Sequence, residues 1–264
     1  MDFTLREATA EDYPVFTRLF PALGVDDPVL TPEQFAARML PATIVAHEAG
    51  APIGYAFWQI QGARAHVVHV IVDERARNRG AGRALMEGVR QRVLAAGCSR
   101  WFLNVKQANA PAIRLYEKCG LAIEQEGWAM RAEWSQLASL PEPRGEVTVY
   151  SPGSDEDPSF VARFDESPER LGILRSRPGI VILGIREAGV PVAFAAFDPS
   201  FSGVYPVRLA RVDLARPLFD SLRAHARESR VQVFVEGDDA LFQAMQACGA
   251  LVHIAMYRMG AAPR

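Results

Sequence analysis

The chain has 264 residues, 49% of them apolar, and a formal net charge of −2. The near balance of acids and bases excludes a general nucleic-acid or anionic-membrane surface, either of which needs a basic excess, and no apolar run reaches membrane-spanning length. The polar start MDFTLREATAEDY does not read as a signal peptide, and Cys98, Cys119 and Cys248 form no C-x-x-C pair, so the expectation is a reduced, cytoplasmic protein.

In chain order, FTLREA (3–8) predicts a short strand, and Thr9 with Asp12 makes a capping-box start for a helix over AEDYPVFTRLF (10–20). Thr31 and Pro32 open a second helix, TPEQFAARML (31–40). Two strands follow around Ala-Gly-Ala-Pro in TIVAHEAGAPIGYAFWQIQ (43–61), a hairpin by pattern. AHVVHVIV (65–72) is almost wholly apolar and β-branched, as a strand buried on both faces would be. GRALMEGVRQRVLAAG (82–97) repeats its apolar residues at helical spacing and stops at Gly97. RWFLNV (100–105) is a strand, NAPAIRLYEKCG (109–120) a helix capped by Asn109, and LAIEQEGWAMRAE (121–133) a strand again.

The plan then repeats. EAGAPIGYAF from Glu48 reappears as EAGVPVAFAAF from Glu187, RALMEGVRQRV from Arg83 as RPLFDSLRAHA from Arg216, and LYEKCGL ending at Leu121 as AMQACGA ending at Ala250. Three segments kept in order imply two related domains. The expected division is a domain over 1–138, a Pro-rich linker over 139–144 and a second domain over 145–264. The fold class expected for each copy is α/β (α+β), a mixed, mostly antiparallel twisted sheet with helices on both faces.

The chemistry-bearing stretch is RNRGAG (77–82), between the strand ending at Val72 and the helix from Gly82. Unpaired N–H groups at a helix start, with the helix dipole, make an anion site. Gly80 and Gly82 admit a phosphate to the backbone, and Arg77, Arg79 and Arg83 attract it. Neither a P-loop nor a complete G-x-G-x-x-G is present. Downstream, Asn109 and Tyr116 stand seven residues apart, about two helical turns, on nearly one face.

VDERARNRGAGRAL with NAPAIRLYEKCGL resembles the GNAT superfamily of acyl-CoA-dependent N-acetyltransferases, over roughly residues 2–132. The resemblance implies acetyl-CoA as cosubstrate and a small-molecule or peptide amine as acceptor. It implies that Arg77, Asn78, Arg79, Gly80, Ala81 and Gly82, with Arg83 beside them, wrap the coenzyme A pyrophosphate. Val70, Ile71 and Val72 would pair with the pantetheine amides and Asn109 would contact the same arm. Tyr116 would be the general acid, since a phenol is protonated at neutral pH. The family's base position falls on His66, with a pKa already near neutrality. His69 faces the other side of a regular strand unless a bulge re-aims it, so the H-x-x-H pair splits its rings and no metal site is expected.

In the second copy, Asp213 and Ala215 stand for the two glycines, and Met245 and Asp238 for Tyr116 and Asn109. RLARVDLARPL (208–218) contains no glycine at all. The second domain is therefore expected to be a degenerate GNAT-like copy, and the chain a monomer built as an internal pseudo-dimer. Tandem members such as mycothiol synthase are similar in layout, although their active copy is the C-terminal one. A CoA-binding sensor or an interaction module without turnover is the alternative. Asp26, Asp27 and Glu33, in the loop and helix after the first helix, are candidates for drawing in a cationic amine.

Overall fold

A computed structural model describes residues 3–24 and 29–263; Asp26 and Asp27 lie outside the described residues. The strands are β1 (Thr4–Glu7), β2 (Thr43–Glu48), β3 (Ala51–Gln61), β4 (Arg64–Val72), β5 (Arg100–Lys106), β6 (Ala122–Glu133), β7 (Thr148–Tyr150), β8 (Val181–Glu187), β9 (Val190–Asp198), β10 (Gly203–Leu209), β11 (Arg230–Glu236) and β12 (Leu251–Ala261). The helices are α1 (Tyr13–Leu19), α2 (Pro32–Arg38), α3 (Ala81–Ala95), α4 (Ala110–Lys118), α5 (Trp134–Leu137), α6 (Asp157–Phe164), α7 (Pro168–Ser176), α8 (Ala215–Arg223) and α9 (Asp239–Ala247). None is long and apolar enough to cross a membrane.

Two compact units divide the chain: Met1–Glu124 together with Arg258–Arg264, and Gln125–Tyr257. This differs from the expected boundary at the Pro-rich stretch. The reason is β6, whose residues Gly127–Glu133 pair antiparallel with Glu236–Arg230 of β11 and so belong to the second unit's sheet. A fragment ending at residue 138 therefore lacks Arg258–Arg264, which belong to the first unit.

In the first unit, β1, β2, β3 and β4 pair antiparallel in sequence, and β5 joins β4 in parallel. Ala49 and Gly50 both take positive φ, 49° and 81°, closing β2 onto β3 in two residues. One face of the sheet packs Tyr55, Phe57 and Ile71 against Phe16, Phe20 and Phe35 of the α1 and α2 region. The other face carries α3, with Gly88 set against the side chains of Leu5 and Ile44. The helix starts follow their sequence signals: Thr9 N–H donates to Asp12 Oδ2 at 2.8 Å, and Gln34 N–H donates to Thr31 Oγ1 at 3.3 Å. Strand β4 follows expectation in part. Ala65 and Val67 are buried on one face and Ile71 on the other, so the strand is covered on both faces, while its remaining residues are partly exposed.

The second unit repeats the scheme with β7, β8, β9, β10 and β11, and β6 takes the place beyond β11. Its hairpin turn is the same: Ala188 and Gly189 have φ of 49° and 81°. Glu187, at the hairpin, is held by Arg211 at 2.7 Å, as Glu48 is held by Arg79 at 2.6 Å. Its core gathers Trp134, Phe197, Leu218, Phe219 and Met245.

Gly54 records how closely β3 and β4 approach: an added Cβ would lie 2.5 Å from Ile71 O and 3.3 Å from Leu85 Cδ1. Because the first of these is backbone, Gly54→Ala is expected to destabilise the protein by about 1–3 kcal/mol in urea unfolding. An unchanged midpoint would contradict this packing.

Candidate active site

The site is built around one extra residue. Phe57 pairs with His69 and the next residue, Trp58, with Val67, so Val68 is an unpaired bulge in β4. On its other edge β4 pairs β5 from Arg64/Arg100 to Val67/Leu103, and the pairing stops there. Beyond the bulge no ladder pair joins 69–72 to 104–106, and this unpaired stretch is the gap between the two strands.

The bulge settles where the backbone points. Asp73 N–H donates to Ile53 O at 2.7 Å, so Asp73 bonds toward β3. By alternation Ile71 does the same, and Val70 and Val72 turn their N–H and C=O groups to the gap. Arg77 Nε donates to the Val72 carbonyl at 3.1 Å. Of the three residues expected to pair with the pantetheine amides, Val70 and Val72 present backbone to the gap. Ile71 is instead a core residue through its side chain and a β3 partner through its backbone.

The turn after β4 runs through a short 3₁₀ segment, Glu74–Ala76, and Asn78 at φ 61°, to Gly80 at φ 99°, the N-cap of α3. Left-handed backbone at the cap is what requires glycine at position 80. Gly82 has a different reason: a Cβ there would lie 3.0 Å from Leu115 Cδ2, with Val72 Cγ2 at 3.9 Å. The end of β4, the start of α3 and the middle of α4 thus meet at Gly82. Ala81 is buried; Arg77, Asn78, Arg79 and Arg83 are exposed. The charge of Arg79 is matched by Glu48 at 2.6 Å, which leaves attraction of an anion to Arg77, Arg83 and the N–H groups of the helix's first turn.

On α4, Asn109 Oδ1 accepts from Ala112 N–H at 3.2 Å, and Asp238 Oδ1 accepts likewise from Leu241 N–H in the second unit. The shared cap accounts for Asn109 by itself, and its amide nitrogen is the part that can serve another partner. Tyr116 is buried, and burial, with the nearby Cys119, pushes its pKa up to about 12. It keeps its proton at neutral pH.

The histidines differ from the regular-strand expectation. With Val68 inserted, His66 lies opposite Gln59 and His69 opposite Phe57, two residues apart on β3, so both rings share one face. The face-splitting argument against a metal pair therefore fails, although among the described residues no group of three or more His, Cys, Asp or Glu is arranged to hold a metal. His69 sits among Phe20, Tyr55 and Phe57, with ring centroids 5.6 to 6.0 Å away, and burial lowers its pKa to about 4. His66 is partly exposed and stacks on Phe102 at 4.7 Å with the planes 3° apart. Glu33 lies in the first turn of α2, where its own backbone N–H and Thr31 hold its carboxyl below the usual range, a helix-start role.

The equivalent place in the second unit is filled. Strand β10 pairs β11 only at Gly203/Gln232 and Val204/Val233, and a bulge follows between Val204 and Val207. Here Tyr205 Oη donates to Glu236 at 3.1 Å, and Arg208 lies 3.2 Å from both Glu236 and Glu166. Arg170 stacks 4.1 Å over the Tyr205 ring. Glu166 Oε2 is off the N–H direction of Arg208, so charge rather than a hydrogen bond holds it there. Helix α8 follows its 3₁₀ segment directly, and its cap Leu214 is right-handed at φ −79°. The left-handed turn of the first unit has no counterpart at this cap.

Burial of His69 sets a pH dependence. Its folded pKa of about 4 lies below the ordinary value, so between pH 6.5 and 4 the unfolded chain takes up a proton that the folded chain refuses. Stability is lost as pH falls through that window. Relative to His69→Leu, the wild type should lose about 2–3 kcal/mol more between pH 7.5 and 4.5 in urea unfolding. Parallel pH profiles would place the imidazole in water.

Comparison with known families matches residues 5–121 to the acetyltransferase (GNAT) family. No curated protein matches the sequence. Among solved structures, the chain is similar to a GCN5-related N-acetyltransferase from Sphaerobacter thermophilus, with 18% identity, TM-score 0.69, and 99% of this chain and 96% of that one covered. It is similar to a putative acetyltransferase from Pyrococcus horikoshii, at 16% identity and TM-score 0.66 over 98% and 89%. It is also similar to a tandem GNAT protein from the clavulanic acid biosynthesis pathway, at 16% identity and TM-score 0.62 over 100% and 99%. These likenesses show the fold over both units, and the family match covers the stretch that holds the bulge, the turn and Tyr116. Over residues 5–121 the chain is similar to the acetyltransferase (GNAT) family.

Proposed function

We propose that the first unit transfers an acetyl group from acetyl-CoA to an amine, and that the second unit binds no acyl-CoA. The observation that carries this reading is the gap between β4 and β5, which opens beside the left-handed turn at Gly80 and the helix bearing Tyr116. The gap exposes backbone groups of Val70 and Val72 to an extended amide-bearing chain. The first turn of α3, with Arg77 and Arg83, suits a diphosphate at one end of it. The second unit's gap is occupied by Tyr205, Arg208 and Glu236. A ligand there would have to break a buried ion cluster, which costs on the order of 3–5 kcal/mol per removed partner.

Acetyl-CoA supplies an electrophilic thioester carbonyl. His66 takes the proton of the acceptor's ammonium group, directly or through water, so that the amine can form its N–C bond as the C–S bond breaks. An N–H of Val70 or Val72 faces the oxygen that gains charge. Tyr116 gives its proton to the departing sulfur, a role for which a phenol held protonated by burial is suited. His69, with its pKa near 4, stays neutral and packs.

Tyr116→Phe keeps the ring and removes only the proton. It should lower kcat by about 100-fold, at the low end of general acid catalysis, while acetyl-CoA Kd stays within about threefold. Thiol release against an accepted amine and calorimetry check the two halves. Undiminished turnover removes Tyr116 from the mechanism.

A further inference from the structure

The turn that would hold a diphosphate begins with two acidic residues, Asp73 and Glu74. Glu74 is exposed, and solvent screens it; Asp73 is not, with only 24% of its side chain accessible. Asp73 also lies close to the anion's place. Val72, its neighbour, carries a methyl 3.9 Å from where a Cβ on Gly82 would stand, and Gly82 is in the first turn of α3. One Cα step of about 3.8 Å separates Asp73 from Val72, so its carboxylate acts on that turn over a distance on the order of 10 Å, one Debye length at about 0.1 M salt. Left unmatched, it would repel the ligand that Arg77, Arg83 and the helix N–H groups attract.

A cation from another element meets this carboxylate. Arg18, in the last turn of α1, donates from Nη1 to Asp73 Oδ2 and from Nη2 to the Pro52 carbonyl at 3.2 Å. Asp73 N–H donates to the next carbonyl, Ile53 O, at 2.7 Å. The start of β3 thus anchors both partners of the pair. The second carboxylate oxygen of Asp73 accepts from Arg75 N–H at 3.2 Å and caps the 3₁₀ segment that leads to Gly80. The hydrogen bond from Arg18, followed by that from Arg75, holds the Asp73 carboxyl below the usual carboxylate range. Asp73 is therefore charged at neutral pH.

We infer that Arg18 sets how tightly the first unit holds acetyl-CoA, by matching the charge of Asp73 at the head of the diphosphate turn. It acts through Asp73, as a positioning residue rather than a catalytic one. The inference rests on the reading of that turn as the acyl-CoA site. Because 49% of the Arg18 side chain is accessible, its effect has the modest size of a partly exposed ion pair and fades with salt.

The test is calorimetric titration of acetyl-CoA into the full chain at about 50 mM and about 500 mM salt, on either side of the screening threshold. Arg18→Gln should raise Kd about three- to fivefold at low salt and less than about 1.5-fold at high salt. Adding Asp73→Asn to Arg18→Gln removes the bare charge, leaves an oxygen for Arg75 N–H, and should return Kd to within about 1.5-fold of wild type. Asp73→Asn alone leaves Arg18 unmatched and should tighten binding about twofold at low salt. A side chain that merely braced the fold would give the same loss at both salts, and the second substitution would deepen it. Either result overturns the inference, as does an unchanged Kd in Arg18→Gln. If Arg18→Gln does not fold, Asp73→Asn alone decides, and unchanged or weaker binding overturns the inference. Wild type that does not bind acetyl-CoA defeats the reading of the turn itself; wild type that binds it with no difference among the variants defeats Arg18 alone.

Discussion

One unpaired residue, Val68, governs the first unit. Pairing of two parallel strands is cooperative along their length, and β4 and β5 share a ladder only until Val67 and Leu103. The bulge bends β4 and shifts its alternation by one, which opens the gap, turns Val70 and Val72 outward and brings His66 and His69 to one face. The glycines then serve two different ends. Gly80 supplies a left-handed cap, and Gly82 lets α3 meet α4 at Leu115. Without the bulge the turn would be a basic helix start beside a closed sheet.

The second unit shows what becomes of the same geometry when it is filled. Its β10 carries a bulge at the corresponding place and leaves β11 after two pairs. Tyr205, Arg208 and Glu236, with Arg170 and Glu166, turn that opening into a buried, charge-balanced cluster. Such a cluster is weak evidence of stability, since its desolvation offsets its attraction, but it demands that all partners stay in place. Rigidity fits a structural copy better than a binding one.

Much of this was legible in the sequence, because it is written in local signals. Thr31 with Pro32, the Ala-Gly turns at 49–50 and 188–189, and Asn109 as a cap each act within a few residues of themselves. The repeat announced two related units, and the RNRGAG stretch pointed to the turn. What stayed hidden depends on partners far along the chain. The pairing of β6 with β11 moves the unit boundary, and nothing in LAIEQEGWAMRAE names β11 as its neighbour. The bulge at Val68 is invisible in an unbroken apolar run, and without it regular alternation divides the two histidines between the faces. The pairing of Arg79 with Glu48 likewise depends on the hairpin that brings the two together.

The central claim is that one gap in this chain is open to acyl-CoA and the other is shut. Calorimetric titration of acetyl-CoA into the full chain tests it most directly. The account predicts one site per chain. Two sites would mean that the ion cluster around Arg208 gives way to ligand, and the reading of the second unit would be wrong. No binding, by calorimetry and by a second method, would contradict the account at its base.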